Sequence, residues 1–174
     1  GRSDASTDGT LVTCGTSRNP SSGVSCNSVE ADGPCVTETV GTTAPPAAGG
    51  GTIVAGTYEL VASTVYAYPD AGVDAAVTVD QGPRRQTAVV SGSGTTLTME
   101  SALVSGTESQ RLNVTLIPSG SSVTLAPTCP FDDGGFNPAG TFQYTATSSS
   151  SETTFILYDA LNLGHLQVDE YMKR

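Results

Sequence analysis

Chemistry in this chain would have to come from a short list of side chains. His165 is the only histidine, so acid–base work or metal ligation near neutral pH would rest largely on it. It follows Gly164 at the start of a strand whose alternation puts it on the outer face, where a histidine is solvated or caps the strand. A Ser-His-Asp nucleophile would need one of many serines to be singled out, and no Gly-x-Ser-x-Gly elbow is present. We therefore expect no enzyme. The loop Phe131-Asp132-Asp133-Gly134-Gly135-Phe136-Asn137 gathers hard oxygen ligands beside glycines, as calcium coordination needs. It lacks the spacing of a known calcium loop, and Asp-Asp-Gly-Gly is also ordinary turn chemistry. Asp70, Asp74 and Asp80 are similarly weak, so no metal and no cofactor is assigned. Arg84-Arg85 reads as a solvated pair rather than an anion site, and the sequon Asn113-Val-Thr115 reads as coincidence within a strand.

The cysteines carry a firmer chemical signal. Cys14, Cys26 and Cys35 fall in the first 40 residues, while Cys129 stands alone in Thr128-Cys-Pro130. Four zinc-binding thiolates would favour a Cys-x2-Cys pair, and none exists. An even count in a polar, Lys-poor chain favours two disulfides with three formal connectivities. One bridge must then reach Cys129 from the N-terminal segment, and Cys26–Cys129 with Cys14–Cys35 is the preferred pairing. Disulfides point to an extracellular or outer cell-surface location. No signal peptide or transmembrane stretch is visible, and the opening Gly1-Arg2-Ser3 looks like a processed mature form.

Charge narrows the partners. The 174 residues carry a net charge of -10, and only 14% of them are charged. Lys173 is the single lysine, and no basic cluster offsets the acidity. Such a polyanion repels phosphate backbones and anionic headgroups, so no nucleic-acid partner is expected.

The elements that must position these groups are strands. A Ser/Gly turn followed by alternating threonines and apolar residues recurs as Ser91-Gly-Ser-Gly-Thr-Thr-Leu-Thr-Met99, as Ser119-Gly-Ser-Ser-Val-Thr-Leu125, and after Ser148 to Ser151. Turn punctuation between short period-2 runs is the mark of adjacent antiparallel hairpins. Residues 1–51 form a Ser/Thr/Gly/Pro-rich arm and linker; residues 52–174 form the β-domain. Eight strands are expected at 57–66, 85–91, 95–101, 110–117, 122–126, 141–147, 153–158 and 165–172. Alternation assigns Tyr58, Leu60, Ala62, Val89, Leu97, Met99, Leu112, Val114, Leu116, Val123, Leu125, Phe142, Tyr144, Phe155, Leu157, Leu166 and Val168 to the interior. Glu59, Ser63, Thr96, Thr98, Glu100, Arg111, Asn113, Thr115, Thr124, Gln143, Thr145, Thr154 and Gln167 fall on the opposite face. The fold class is all-β, an eight-stranded antiparallel up-and-down meander that closes as a barrel in preference to a sandwich, with a disulfide-tied irregular N-terminal arm.

Two resemblances attach to named residues. Gly56-Thr57-Tyr58 is similar to the Gly-x-Trp that opens the first strand of lipocalins. Lys173-Arg174 stands where that family has a basic residue packed over the Trp, which implies Arg174 or Lys173 against Tyr58. Tyr replaces the Trp, and no other lipocalin motif is present. Gly51-Thr-Ile-Val-Ala-Gly-Thr-Tyr-Glu-Leu60, with Cys26-Asn27, Thr128-Cys-Pro130, Tyr144-Thr-Ala146 and Tyr171-Met-Lys-Arg174, resembles small secreted lipoproteins of myxobacteria. That resemblance implies export and a lipid anchor before Gly1, and supplies no activity.

Two functions are compatible with this chain. The first is a non-catalytic structural or interaction subunit, self-assembling through residues 1 to about 45. Leu11-Val-Thr13 and Cys35-Val-Thr-Glu-Thr-Val40 would add as strands to another copy of the chain or to a cell-surface protein. The arm could instead be stapled to its own barrel through Cys129. The second function is a lipocalin-like carrier of a small apolar ligand. The large side chains assigned to the interior are expected to fill the barrel, which favours the first.

Overall fold

The computed structural model describes residues 14–21, 24–67, 77, 82–106, 109–129, 139–161 and 164–174. Its described strands are β1 (Thr39–Val40), β2 (Gly56–Ala67), β3 (Arg84–Ser93), β4 (Thr96–Ser105), β5 (Ser109–Ser119), β6 (Ser122–Pro127), β7 (Gly140–Ser148), β8 (Thr153–Leu161) and β9 (His165–Lys173). Strands β2 to β9 run in sequential antiparallel order, and β9 pairs back onto β2 from Tyr58↔Lys173 to Ala67↔His165. The eight-stranded barrel is thus closed. Closure leaves few unpaired edges, which suits a chain with almost no lysine to guard them. The β5–β6 turn shows how the recurring Ser-Gly phrase works: Ser119 pairs with Ser122, and Gly120 takes a φ of 60°, which glycine adopts without steric cost.

The interior is built much as alternation predicts over five of the strands. Tyr58, Leu97, Leu112 and Phe155 belong to one buried cluster, with Phe142 packed against it. Phe155 sits at the centre of an aromatic group, its ring centroid 6.5 Å from Tyr58, 6.2 Å from Tyr144 and 6.1 Å from Tyr171. Two of these tyrosines also close the end of the barrel where β2 begins. Tyr58 donates its hydroxyl to the Val54 carbonyl at 2.6 Å, and Tyr144 donates to Gly51 at 2.7 Å. Ile53, between those acceptors, is buried in the core. The linker-like stretch before β2 therefore acts as a plug.

Three phases differ from the sequence expectation. In β2 the register with β9 shifts between Leu60 and Ala62, and this bulge turns Ser63 and Val65 inward in place of Ala62. In β3 the inward set is Arg84, Gln86, Ala88 and Val90, so Val89 lies on the outer face. In β9 the inward set is Gln167, Asp169 and Tyr171, and Leu166 and Val168 lie on the outer face of the barrel, where Val168 is nonetheless buried. Polar residues face inward in both of the last two strands, which reversed the phase read from hydrophobicity.

The described part of the arm lies on its own barrel. Cys14–Cys35 ties the arm to itself, and Cys26–Cys129 ties it to the second residue after β6. β1 runs parallel to β2 at Thr39↔Thr64 and Val40↔Val65. Val36 exchanges backbone hydrogen bonds with Arg84 at 2.8 and 2.9 Å. Since β2 and β3 pair only between Gly56 and Glu59 on the β2 side, residues 36–40 occupy the gap where they diverge. Asn27 latches the arm to β4 and β5 by donating to the Leu112 carbonyl at 3.2 Å and to Asn113 Oδ1 at 2.7 Å; Asn113 in turn donates to the Cys26 carbonyl. The Asn113 amide is thereby engaged in the fold. Outside β4, Ala102 and Val104 are buried against Ala31, with Val29 packed on them. The strand addition expected toward a neighbouring copy is made within the chain by residues 36–40, and Leu11-Val-Thr13 lies outside the described residues.

Candidate functional site

Side chains do not fill the barrel. A cavity of about 350 Å³ runs through it, within the size range of small-molecule sites. The filled-core expectation counted large residues at positions that face outward and missed small inward ones, Ala88 and Ser101 among them. The cavity has two chemically distinct ends. Near the plug it is walled by Val90, Leu116, Leu125, Phe142 and Phe155. Toward the end where β2 connects to β3 and β8 to β9, it is walled by Arg84, Gln86, Ser105, Gln110, Asp159, Gln167 and Asp169.

The polar end is organised around one guanidinium. Arg84, only 4% exposed, donates from Nη2 to both Asp169 oxygens at 2.7 and 2.8 Å and to Ser63 Oγ at 3.0 Å. Ser63 Oγ donates its own hydrogen bond to Asp169 Oδ1 at 2.7 Å, and Gln167 Nε2 donates to Asp169 Oδ2 at 2.8 Å. Glu38, delivered from the arm two residues after the Val36–Arg84 bridge, lies 4.0 Å from Arg84 Nη1 with its side chain fully buried. Ser63 reaches this network because the β2 bulge turns it inward. Arg84 is thus a buried, ion-paired group, and the expected solvated Arg84-Arg85 pair is corrected; Arg85 alone points outward, toward the Gly15 carbonyl.

Tyrosine hydroxyls in this interior stay protonated. Burial, and after it the negative charge of Asp169, pushes the Tyr171 hydroxyl well above the ordinary tyrosine range, so it donates to Gln86 Oε1 at 3.0 Å. Burial also raises Tyr58 and Tyr144. His165 is corrected from the outer face to a buried position, 6% exposed, between Ala67 and Leu161 in the ladder. At the chain end, Lys173 stands directly opposite Tyr58 in the β2–β9 register. Arg174 pairs with Glu59, and the Lys173 side chain runs against Gly56.

Asp159 carries the most informative shift. Its carboxyl is raised from the ordinary 3.8, first by burial and then by the charge of Asp169. Arg84, Glu38, His165, Gln167 and Tyr171 are the other charged or titratable groups and amide partners at that end. Because the folded protein holds this proton more tightly, the unfolded chain binds fewer protons between the two pKa values, and stability falls as pH rises through that window. Asp159→Asn should therefore melt at a higher temperature than the parent protein near neutral pH, and the gap should close below about pH 4. Thermal melts at both pH values read this out; a variant that is less stable near neutrality would contradict it.

Asp70, Asp74, Asp80, Asp132 and Asp133 lie outside the described residues. Among the described residues no three His, Cys, Asp or Glu side chains gather as a metal site, and no helix is long and apolar enough to cross a membrane. The two disulfides are compatible with an oxidising environment. No protein-family model matches the chain, and no curated protein matches it.

Proposed function

We propose that this chain is an exported, non-catalytic barrel that carries one small, largely apolar molecule in its interior. The observation that carries the reading is the cavity of about 350 Å³, apolar toward the plug and polar at the opposite end. Pockets that bury a small ligand combine an apolar lining with a few fixed polar groups in this way. Arg84, Ser63, Gln167 and Asp169 hold one another, so they are preorganised and little ordering cost falls on them when a ligand binds. Two disulfides and the lipoprotein-like motifs support work outside the cytoplasm, in the extracellular space or at an outer surface to which a lipid upstream of Gly1 would tether the barrel. The reading as a self-assembling subunit loses one of its two motives, because residues 36–40, one of the two arm segments that resembled a free strand, are seated between β2 and β3 of the same chain.

N-phenyl-1-naphthylamine, an apolar dye that brightens out of water, tests the proposal. It should bind with a stoichiometry near one per chain. Ala88→Phe, which places a ring in the cavity, should weaken that binding by at least about tenfold, the equivalent of losing one well-buried apolar contact. A dye that stays dark, or one that binds the Ala88→Phe protein equally well, would sink the carrier reading.

A further inference from the structure

The charges at the polar end select among apolar ligands. Three carboxylates, those of Glu38, Asp159 and Asp169, share that end with one guanidinium. Arg84 is spent on Asp169, Ser63 and Glu38, and Asp169 accepts further hydrogen bonds from Ser63 and Gln167. Asp159 stands apart from this network. It lines the cavity, half-buried, and among the described residues its carboxylate makes no hydrogen bond or ion pair. We propose that the cavity takes a cationic amphiphile, a protonated amine on an apolar body, with the ammonium on Asp159 and the body against Met99, Leu112, Leu116, Leu125 and Phe142.

The proposal deepens the carrier reading and rests on it. A half-buried carboxylate without a partner is costly as an ion, and a ligand ammonium supplies both the missing charge and the missing donors. An anionic ligand would face Asp159 and Asp169 while finding Arg84 already engaged. A metal ion needs several hard ligands converging on one point, and among the described residues no three His, Cys, Asp or Glu side chains are placed to hold one, these three carboxylates included. A neutral ligand would fill the apolar end and leave Asp159 as it was. The net charge of -10 acts in the same direction, since it raises the local concentration of cations around the protein.

Three ligands with one indole body separate these cases: tryptamine, 3-ethylindole and indole-3-propionate, each titrated calorimetrically near neutral pH. A charge-assisted hydrogen bond in a desolvated site corresponds to about 10- to 100-fold, so tryptamine should bind tighter than 3-ethylindole by that factor, with indole-3-propionate the weakest. In Asp159→Asn the advantage of tryptamine over 3-ethylindole should fall to within about twofold. Equal or tighter binding of 3-ethylindole to the parent protein would overturn the amine assignment while leaving the carrier reading intact. An advantage that survives Asp159→Asn would overturn the role of Asp159. If none of the three binds, both readings fail together.

Discussion

Replacing Cys26 and Cys129 by serine should cost this protein about 5 kcal/mol of folding stability, and replacing Cys14 and Cys35 about 3. The first bridge closes a sequence separation of 103 residues and the second one of 21. In the chain-entropy account a cross-link acts on the unfolded ensemble, and its effect grows with the logarithm of the loop it closes. The long bridge also holds Asn27 where it donates to the β4 and β5 ladder and packs Ala31 over Ala102, so its loss loosens the outer cover as well. Denaturant titration of the two double-serine proteins against the parent gives the comparison directly. Equal costs, or a larger cost for the short loop, would show that the bridges stabilise chiefly through native contacts.

Arg84→Met should destabilise the fold by about 3 to 5 kcal/mol near neutral pH, the cost of leaving buried carboxylates without their counter-ion. Asp169 would lose a two-oxygen contact at 2.7 and 2.8 Å, and Glu38, fully buried from the arm side, would lose its nearest cation. The desolvation cost of the ions is what makes the single change expensive, so removing both partners should be cheaper than the sum of the separate changes. In a double-mutant cycle, Arg84→Met with Asp169→Leu should recover at least about 1 kcal/mol relative to additivity. Strict additivity would mean that the pair is weakly coupled and that solvent reaches it.

Much of this fold was legible in the sequence, and the misses share a physical cause. Turn residues between period-2 runs located all eight barrel strands, and the isolation of Cys129 pointed to a bridge from the arm. Phase was read correctly where the interior is apolar, as in β5 with Leu112, Val114 and Leu116. It failed in β3 and β9 because Arg84, Gln86, Gln167 and Asp169 face inward to line a polar cavity, against the usual sorting of side chains. A bulge in β2 added a one-residue slip that no hydrophobic pattern announces. Burial of both faces of β4 did leave a trace, since Ala102-Leu-Val104 breaks the alternation where the arm covers it. The same phase error in β9 put His165 on the outer face, and Arg84 read as solvated from its charge; both are buried.

The seam between β2 and β9 fixes when this molecule can finish folding. β2 precedes every other barrel strand and β9 follows them all, so the pairing Tyr58↔Lys173 joins nearly the full length of the domain. Neighbouring hairpins from β3 to β8 can zip locally, while this last contact must wait for the final strand and carries the largest loop-closure entropy of any pairing in the barrel. Until then β2 and β8 both present bare edges to other chains. Cys26 and Cys129 both precede β7, so their bridge can form while the barrel is still open and hold the first strands in place for the last one to arrive.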